Sequence, residues 1–130
     1  MLPDDLKKRI KLFAINTIKL CRRLPSSDEN KVIKYQLAKS GTSVGANYRA
    51  ACRARSQNEF ISKLCIVNEE ADESCFWLEV ITESEILSDV ETFKHLKEAK
   101  ELNAIFTASS NTARKNRNNK SKDESDAKNT

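Results

Sequence analysis

Glycine and proline are almost missing from this chain: two of each occur in 130 residues. That leaves too few turn formers for a β-sandwich or barrel with its many tight connections. No sustained alternation of apolar and polar residues is flanked by hairpin turn pairs, so strands are not expected. No apolar run approaches the ~20 residues that span a bilayer. The opening MLPDDLKKRIKLF carries charge where a signal peptide needs an uninterrupted apolar stretch. These absences point to a cytoplasmic protein with no membrane partner.

Histidine is scarcer still. His95 is the only one, and it lies in a polar stretch that reads as an exposed helix surface. A metal-binding bundle of the ferritin type uses Glu-x-x-His on facing helices. Here the nearest preceding glutamate, Glu91, stands four residues before His95. The four cysteines, Cys21, Cys52, Cys65 and Cys75, form no C-x-x-C pair and have no histidine at metal spacing. They read as reduced, half-buried thiols on helices. Nothing places His95 beside a nucleophile. The expectation is no metal, no cofactor and no enzymatic activity.

What is abundant is helix material. Charged residues make up 32% and hydrophobic residues 38%, enough for one modest core. Three S-x-x-E patterns, Ser26–Glu29, Ser56–Glu59 and Ser88–Glu91, recur at about 30-residue intervals, each followed by helical periodicity. They divide the chain into four amphipathic segments. The first runs from about Asp4 to Leu24, with Leu6, Ile10, Phe13, Thr17, Leu20 and Leu24 on its core stripe; Pro25 stops it. The second, Asp28 to Arg55, turns Ile33, Leu37, Val44, Tyr48 and Ala51 inward. The third, Asn58 to Glu83, uses Phe60, Leu64, Val67, Ala71, Cys75 and Leu78. The fourth, Asp89 to Ser109, uses Phe93, Leu96, Ala99, Asn103 and Phe106. Short connections make sequential helices antiparallel neighbours. The predicted fold is all-α, an antiparallel up-down-up-down four-helix bundle over residues 1–110. Residues 111–130, rich in Asn, Lys, Ser and Asp, lack apolar surface to offset chain entropy and read as a disordered polar tail.

Both glycines fall inside the second helix, at Gly41 and Gly45. A phosphate-binding loop needs one more residue between them, a following lysine and a preceding strand, none of which is present. Two readings stay open. The helix breaks at Gly41, or the pair, four apart on one face, forms a shallow groove for close helix packing. In the second case the expected seam sets Gly41 against Ala71 and Gly45 near Val67 on the third helix.

Charge is segregated. Residues 1–63 hold 14 Lys/Arg and 5 Asp/Glu, residues 64–110 hold 3 and 11, and residues 111–130 hold 6 and 3. The basic first half supports three readings: solubility with attraction between bundle halves, a face for nucleic-acid phosphates, or head-to-tail self-assembly. For phosphate binding the candidates are Lys19, Arg22 and Arg23 at the end of the first helix, and Arg49, Arg53 and Arg55 at the end of the second. The third helix has more apolar residues than one stripe needs. Ile61, Cys65, Ile66, Phe76, Trp77 and Val80 lie off it and are candidates for a subunit contact.

The run from Lys39 through Gly41, Thr42, Ser43, Val44, Gly45, Ala46, Asn47, Tyr48 and Arg49 to Ala51 resembles a known signature. It belongs to the bacterial four-helix-bundle proteins encoded in intervening sequences of large-subunit rRNA genes. Arg53–Ser56, Glu59–Leu64, Asn68–Ser74 and Trp77–Glu79 match as well. The likeness covers about residues 5 to 107. This fold is shared with the accessory variability protein of diversity-generating retroelements. The resemblance implies a homopentameric ring with a basic surface. The partners it implies are rRNA or other nucleic acid, or a reverse transcriptase. It supplies no catalytic residues; Arg49 and Arg53 match basic positions of the motif.

Overall fold

The computed structural model describes residues 3–128, and among them the only regular elements are four helices: α1 (Pro3–Arg23), α2 (Asp28–Cys52), α3 (Gln57–Glu83) and α4 (Val90–Lys128). Each boundary has a local cause. Pro3 sits at the first helical position, where its missing N–H costs nothing, and Asp4 and Asp5 follow in the positive first turn. The α2 cap is Ser27 rather than Ser26: its Oγ accepts from the Asn30 N–H at 3.0 Å. Ser56 caps α3 as its pattern implies, accepting from the Glu59 N–H at 3.0 Å. The reciprocal carboxylate bond goes one residue further back, to the Arg55 N–H. At α4 the cap is Asp89 and not Ser88, with its Oδ1 taking the Thr92 N–H at 2.9 Å. In two of three cases a neighbour with an equally good acceptor displaced the expected serine.

Specific side-chain contacts join each neighbouring pair of helices. Between α1 and α2, Thr17 lies against Gly41, Ile10 against Gly45, and the Cys21 thiol against the Lys34 carbonyl. Between α2 and α3, the Ser74 hydroxyl donates to Ser40 Oγ at 3.1 Å in the buried interior. Between α3 and α4, Asp72 meets Asn103 and Asn68 meets Thr107. Phe13, Phe106, Ile10, Leu37, Leu78, Ile81 and Leu102 are fully enclosed between them. The α1–α4 seam is the thinnest of the four. It is crossed by Arg9, whose Nε donates to Glu98 at 2.9 Å and whose Nη2 donates to Glu101 at 2.8 Å.

The core stripes expected for α1 and α2 are all buried. Three departures occur elsewhere. Gly41 and Gly45 do not break α2, and their bare side faces α1. A Cβ at Gly41 would come within 2.6 Å of Thr17 Cγ2, and one at Gly45 within 3.2 Å of Ile10 Cγ2. The seam with Ala71 is therefore not the one these glycines open; level with that region, α2 and α3 meet through Ser40 and Ser74 instead. In α4 the buried positions are Thr92, His95, Leu96, Ala99, Leu102, Phe106 and Ser110, while Phe93 is half exposed. The inward stripe is set one residue away from Phe93 because two polar side chains on it find hydrogen-bond partners. Thr92 Oγ1 donates to Asp89 Oδ1, and His95 bonds to Thr17.

The third departure is the tail. Instead of disorder from Asn111, α4 continues to Lys128 and reaches 39 residues, about 58 Å against about 40 Å for α3. Propagating a helix from a packed nucleus costs far less than starting one. The first turns beyond Ser110 also touch α3: Arg114 bonds to the Cys65 thiol, and Arg117 Nη1 to Asn58 Oδ1 at 3.2 Å.

Candidate nucleic-acid interface

The six candidate cations separate into two clusters. Lys19, Arg22 and Arg23 lie where α1 ends; Arg49, Arg53 and Arg55 lie where α2 ends. Because α1 and α2 run past each other, Arg49 stands beside Lys7. The two clusters are then about 22 Å apart along α1. All six are solvent-exposed. Arg23 is already engaged, donating to Asp89, and this bond together with the Thr92 N–H holds the Asp89 carboxyl down at about 2. The other five make no ion pair among the described residues.

Sequence reasoning missed what joins the second cluster. Lys7, Lys11 and Ala14 recur at i, i+4 and i+7 on the flank of α1 that meets α2, and Thr42, Ala46 and Arg49 do the same on α2. The two stripes wall an open groove of about 210 Å³, floored by Ile10 and Gly45. No carboxylate lines it. Asp4 approaches Lys7 only from outside, at 4.0 Å. Tyr48 closes one end; burial, with Cys52 adding to it, pushes its hydroxyl up to about 12, so it stays neutral there. The long α4 adds more cations at the same end. Arg117 and Lys120 lie beside Ser56 and Asn58 at the α2–α3 turn. The signal for Lys7 and Lys11 was present as helical spacing on α1; the signal for Arg117 was hidden by reading the tail as unfolded.

A second groove, about 500 Å³, opens over the thin α1–α4 seam and includes Asn16, Lys19, Arg23, Glu91, Lys94 and Glu98. Its charge is mixed. At its base His95 departs from the expected exposed surface: it is buried, stacked on Phe13 with ring centroids 4.5 Å apart, and bonded through Nε2 to Thr17 Oγ1 at 2.8 Å. Thr17 donates its own proton to the Phe13 carbonyl at 2.8 Å, so its oxygen is left to accept and His95 Nε2 carries the hydrogen. Burial pushes the imidazole down to about 4, with Glu98 opposing. It is a neutral core histidine at ordinary pH.

The residues expected at a subunit contact divide. Ile61 is buried within the chain and so is not available to a second subunit. Cys65, Ile66, Trp77 and Val80 are half-buried, Trp77 and Val80 against the core. Phe76 is 54% exposed, its ring edge-on to Trp77. The four cysteines are free thiols, Cys21 and Cys75 buried, Cys65 intermediate and Cys52 exposed. Among the described residues no cluster could hold a metal ion, and no helix is long and apolar enough to cross a membrane.

Fold and surface together define a small all-helical protein with a cation-rich end and a long polar final helix. Comparison places it further. The model of the 23S rRNA-intervening sequence protein family matches residues 5–108, and the chain belongs to that family. A solved structure from Bacteroides thetaiotaomicron, described as a protein with unknown function from the S23 ribosomal protein family, is similar to it. The two are 31% identical with a TM-score of 0.72, over 78% of this chain and 94% of that one. No curated protein matches.

Proposed function

We propose that the chain is a non-enzymatic, cytoplasmic, antiparallel up-down-up-down bundle that self-associates and binds RNA or DNA through phosphate contacts from its basic end. The observation that carries this reading is the gathering of Lys7, Lys11 and Arg49 in one carboxylate-free groove, with exposed Arg53 and Arg55 following on the chain and Arg117 and Lys120, beside Glu124, at the α2–α3 turn. Like charges gathered on a rigid scaffold raise the local potential and attract a polyanion. Membership of a family linked to rRNA intervening sequences supports nucleic acid as that polyanion. Aromatic residues are few, 6% of the chain, so base stacking contributes little and sequence preference is weak.

Binding then depends steeply on salt, because each neutralised phosphate releases counterions. The test is titration of labelled rRNA fragments at low and moderate salt. Wild-type protein binds at low salt, and Arg49→Glu with Arg53→Glu abolishes binding while the helical spectrum is kept. Absence of binding at low salt, or an unaffected double variant, rejects the reading.

A protein-docking scaffold is the second reading, with a reverse transcriptase as the partner type that the retroelement resemblance suggests. It is favoured by apolar exposure: Leu12 and Ile15 on α1, Tyr35 on α2 and Phe76 on α3 all stand in solvent. A partner that stays bound in a pull-down after nuclease treatment supports docking; one released by nuclease supports the nucleic-acid reading.

A further inference from the structure

We propose that the groove between α1 and α2 is a discrete seat for one phosphate group, that of a nucleic-acid backbone, and not merely part of a diffuse basic surface. The inference rests on the nucleic-acid reading for the source of the phosphate, but its geometry is independent of it. Lys7 and Lys11 project from one wall and Arg49 from the other, with no lining carboxylate to neutralise them. Three cations held around one concavity repel one another, and an anion between them relieves that repulsion. The groove exists because its walls and floor are small: Ala14 and Ala46 carry only a methyl, and Gly45 carries nothing. Its 210 Å³ corresponds to roughly seven water volumes, room for a phosphodiester with part of its hydration.

The helix backbone here is hydrogen-bonded within itself, and Thr42 spends its proton on the Ala38 carbonyl at 2.7 Å. Charged donation to the phosphate therefore comes from Lys7, Lys11 and Arg49. Arg49 can offer two parallel N–H groups to a pair of phosphate oxygens, while the lysines act as point charges. This division suits a phosphate that enters from the open side with its two ester links trailing outward.

A charge-neutral substitution separates a seat from a surface. Ala46 is exposed on a regular helix, so Ala46→Leu folds normally while filling the groove and leaving every cation in place. Wild-type protein, Ala46→Leu and Lys11→Ala/Arg49→Ala are titrated with a labelled single-stranded RNA at several salt concentrations. Each is also titrated with inorganic pyrophosphate while the Gly45 and Ala46 amide resonances are followed. A seat predicts that Ala46→Leu weakens RNA binding about tenfold, flattens the log K against log salt slope by about one, and removes the pyrophosphate shifts. RNA binding by Ala46→Leu equal to wild type overturns the seat and leaves the nucleic-acid reading standing. If wild type binds no RNA yet shows pyrophosphate shifts that Ala46→Leu removes, the seat holds and the nucleic-acid reading fails. If neither probe binds, both fall.

Discussion

At the scale of single residues, the two glycines of α2 carry opposite consequences despite their shared helix and spacing. Replacing either by alanine gains about 1 kcal/mol of helix propensity. At Gly45 the new methyl meets Ile10 Cγ2 at 3.2 Å, where a shift of a few tenths of an ångström restores ordinary contact, so Gly45→Ala is near neutral. At Gly41 it meets a fully buried, β-branched Thr17 at 2.6 Å. Thr17 is packed on all sides, and moving it also breaks its bond to His95. Overpacking typically costs about 1–3 kcal/mol, and a broken buried hydrogen bond adds to it. Gly41→Ala should therefore be destabilised by about 1–3 kcal/mol in urea unfolding, with Gly45→Ala within about 0.5 kcal/mol of wild type. His95 gives a second prediction. Its folded pKa, about 4, lies below the ordinary 6.5, so between those values the unfolded chain takes up a proton that the native state refuses. Its contribution is fully present above pH 6.5 and is lost as pH falls, by roughly 2 kcal/mol at about pH 5. Unfolding free energies measured from neutral pH down to about pH 5 should fall less steeply in His95→Phe than in wild type.

The helices differ in how much of them could be read beforehand. In α1 and α2 helical spacing and burial agree at every core position named, because the stripes are mostly Leu, Ile, Phe and Val. In α4 the reading slipped because Thr92 and His95, polar by type, are inward by virtue of partners on α1 and at their own cap. A buried polar pair leaves no mark in hydrophobic periodicity. The glycine seam failed for a related reason: spacing showed that α2 has a bare face, while nothing in the sequence said whether α1 or α3 covers it. The phosphate candidates were half legible. Arg49 was visible in its motif, but Lys7 and Lys11 matter only once α1 is known to lie against Gly45. The end of α4 was legible in composition yet not in conformation. From Asn118 to Lys128 every residue is exposed, so these turns add little tertiary stability. Deleting residues 118–130 should leave the thermal midpoint within about 2 °C of the full chain. Amide exchange in that segment should be far faster than at Phe106.

For the whole molecule, the distribution of charge and the incomplete covering of α1 decide what it does with others. Self-association into a ring is an expectation carried by the family resemblance, and static light scattering at micromolar concentration tests it. A mass several times that of one 14.7 kDa chain is expected; a monomer removes the ring from the proposal. Salt enters a second time, inside the protein. Across the thin seam to α4, α1 is held inside by the Thr17–His95 bond and the Phe13–His95 stack, and at the surface by two electrostatic clasps, Arg9 with Glu98 and Glu101 and Arg23 with Asp89. These clasps are partly exposed, so ionic strength slackens them. On its other flank the same helix carries Lys7 and Lys11, so under the proposed function a brine strong enough to strip away a polyanion would also loosen the shelf on which it rests.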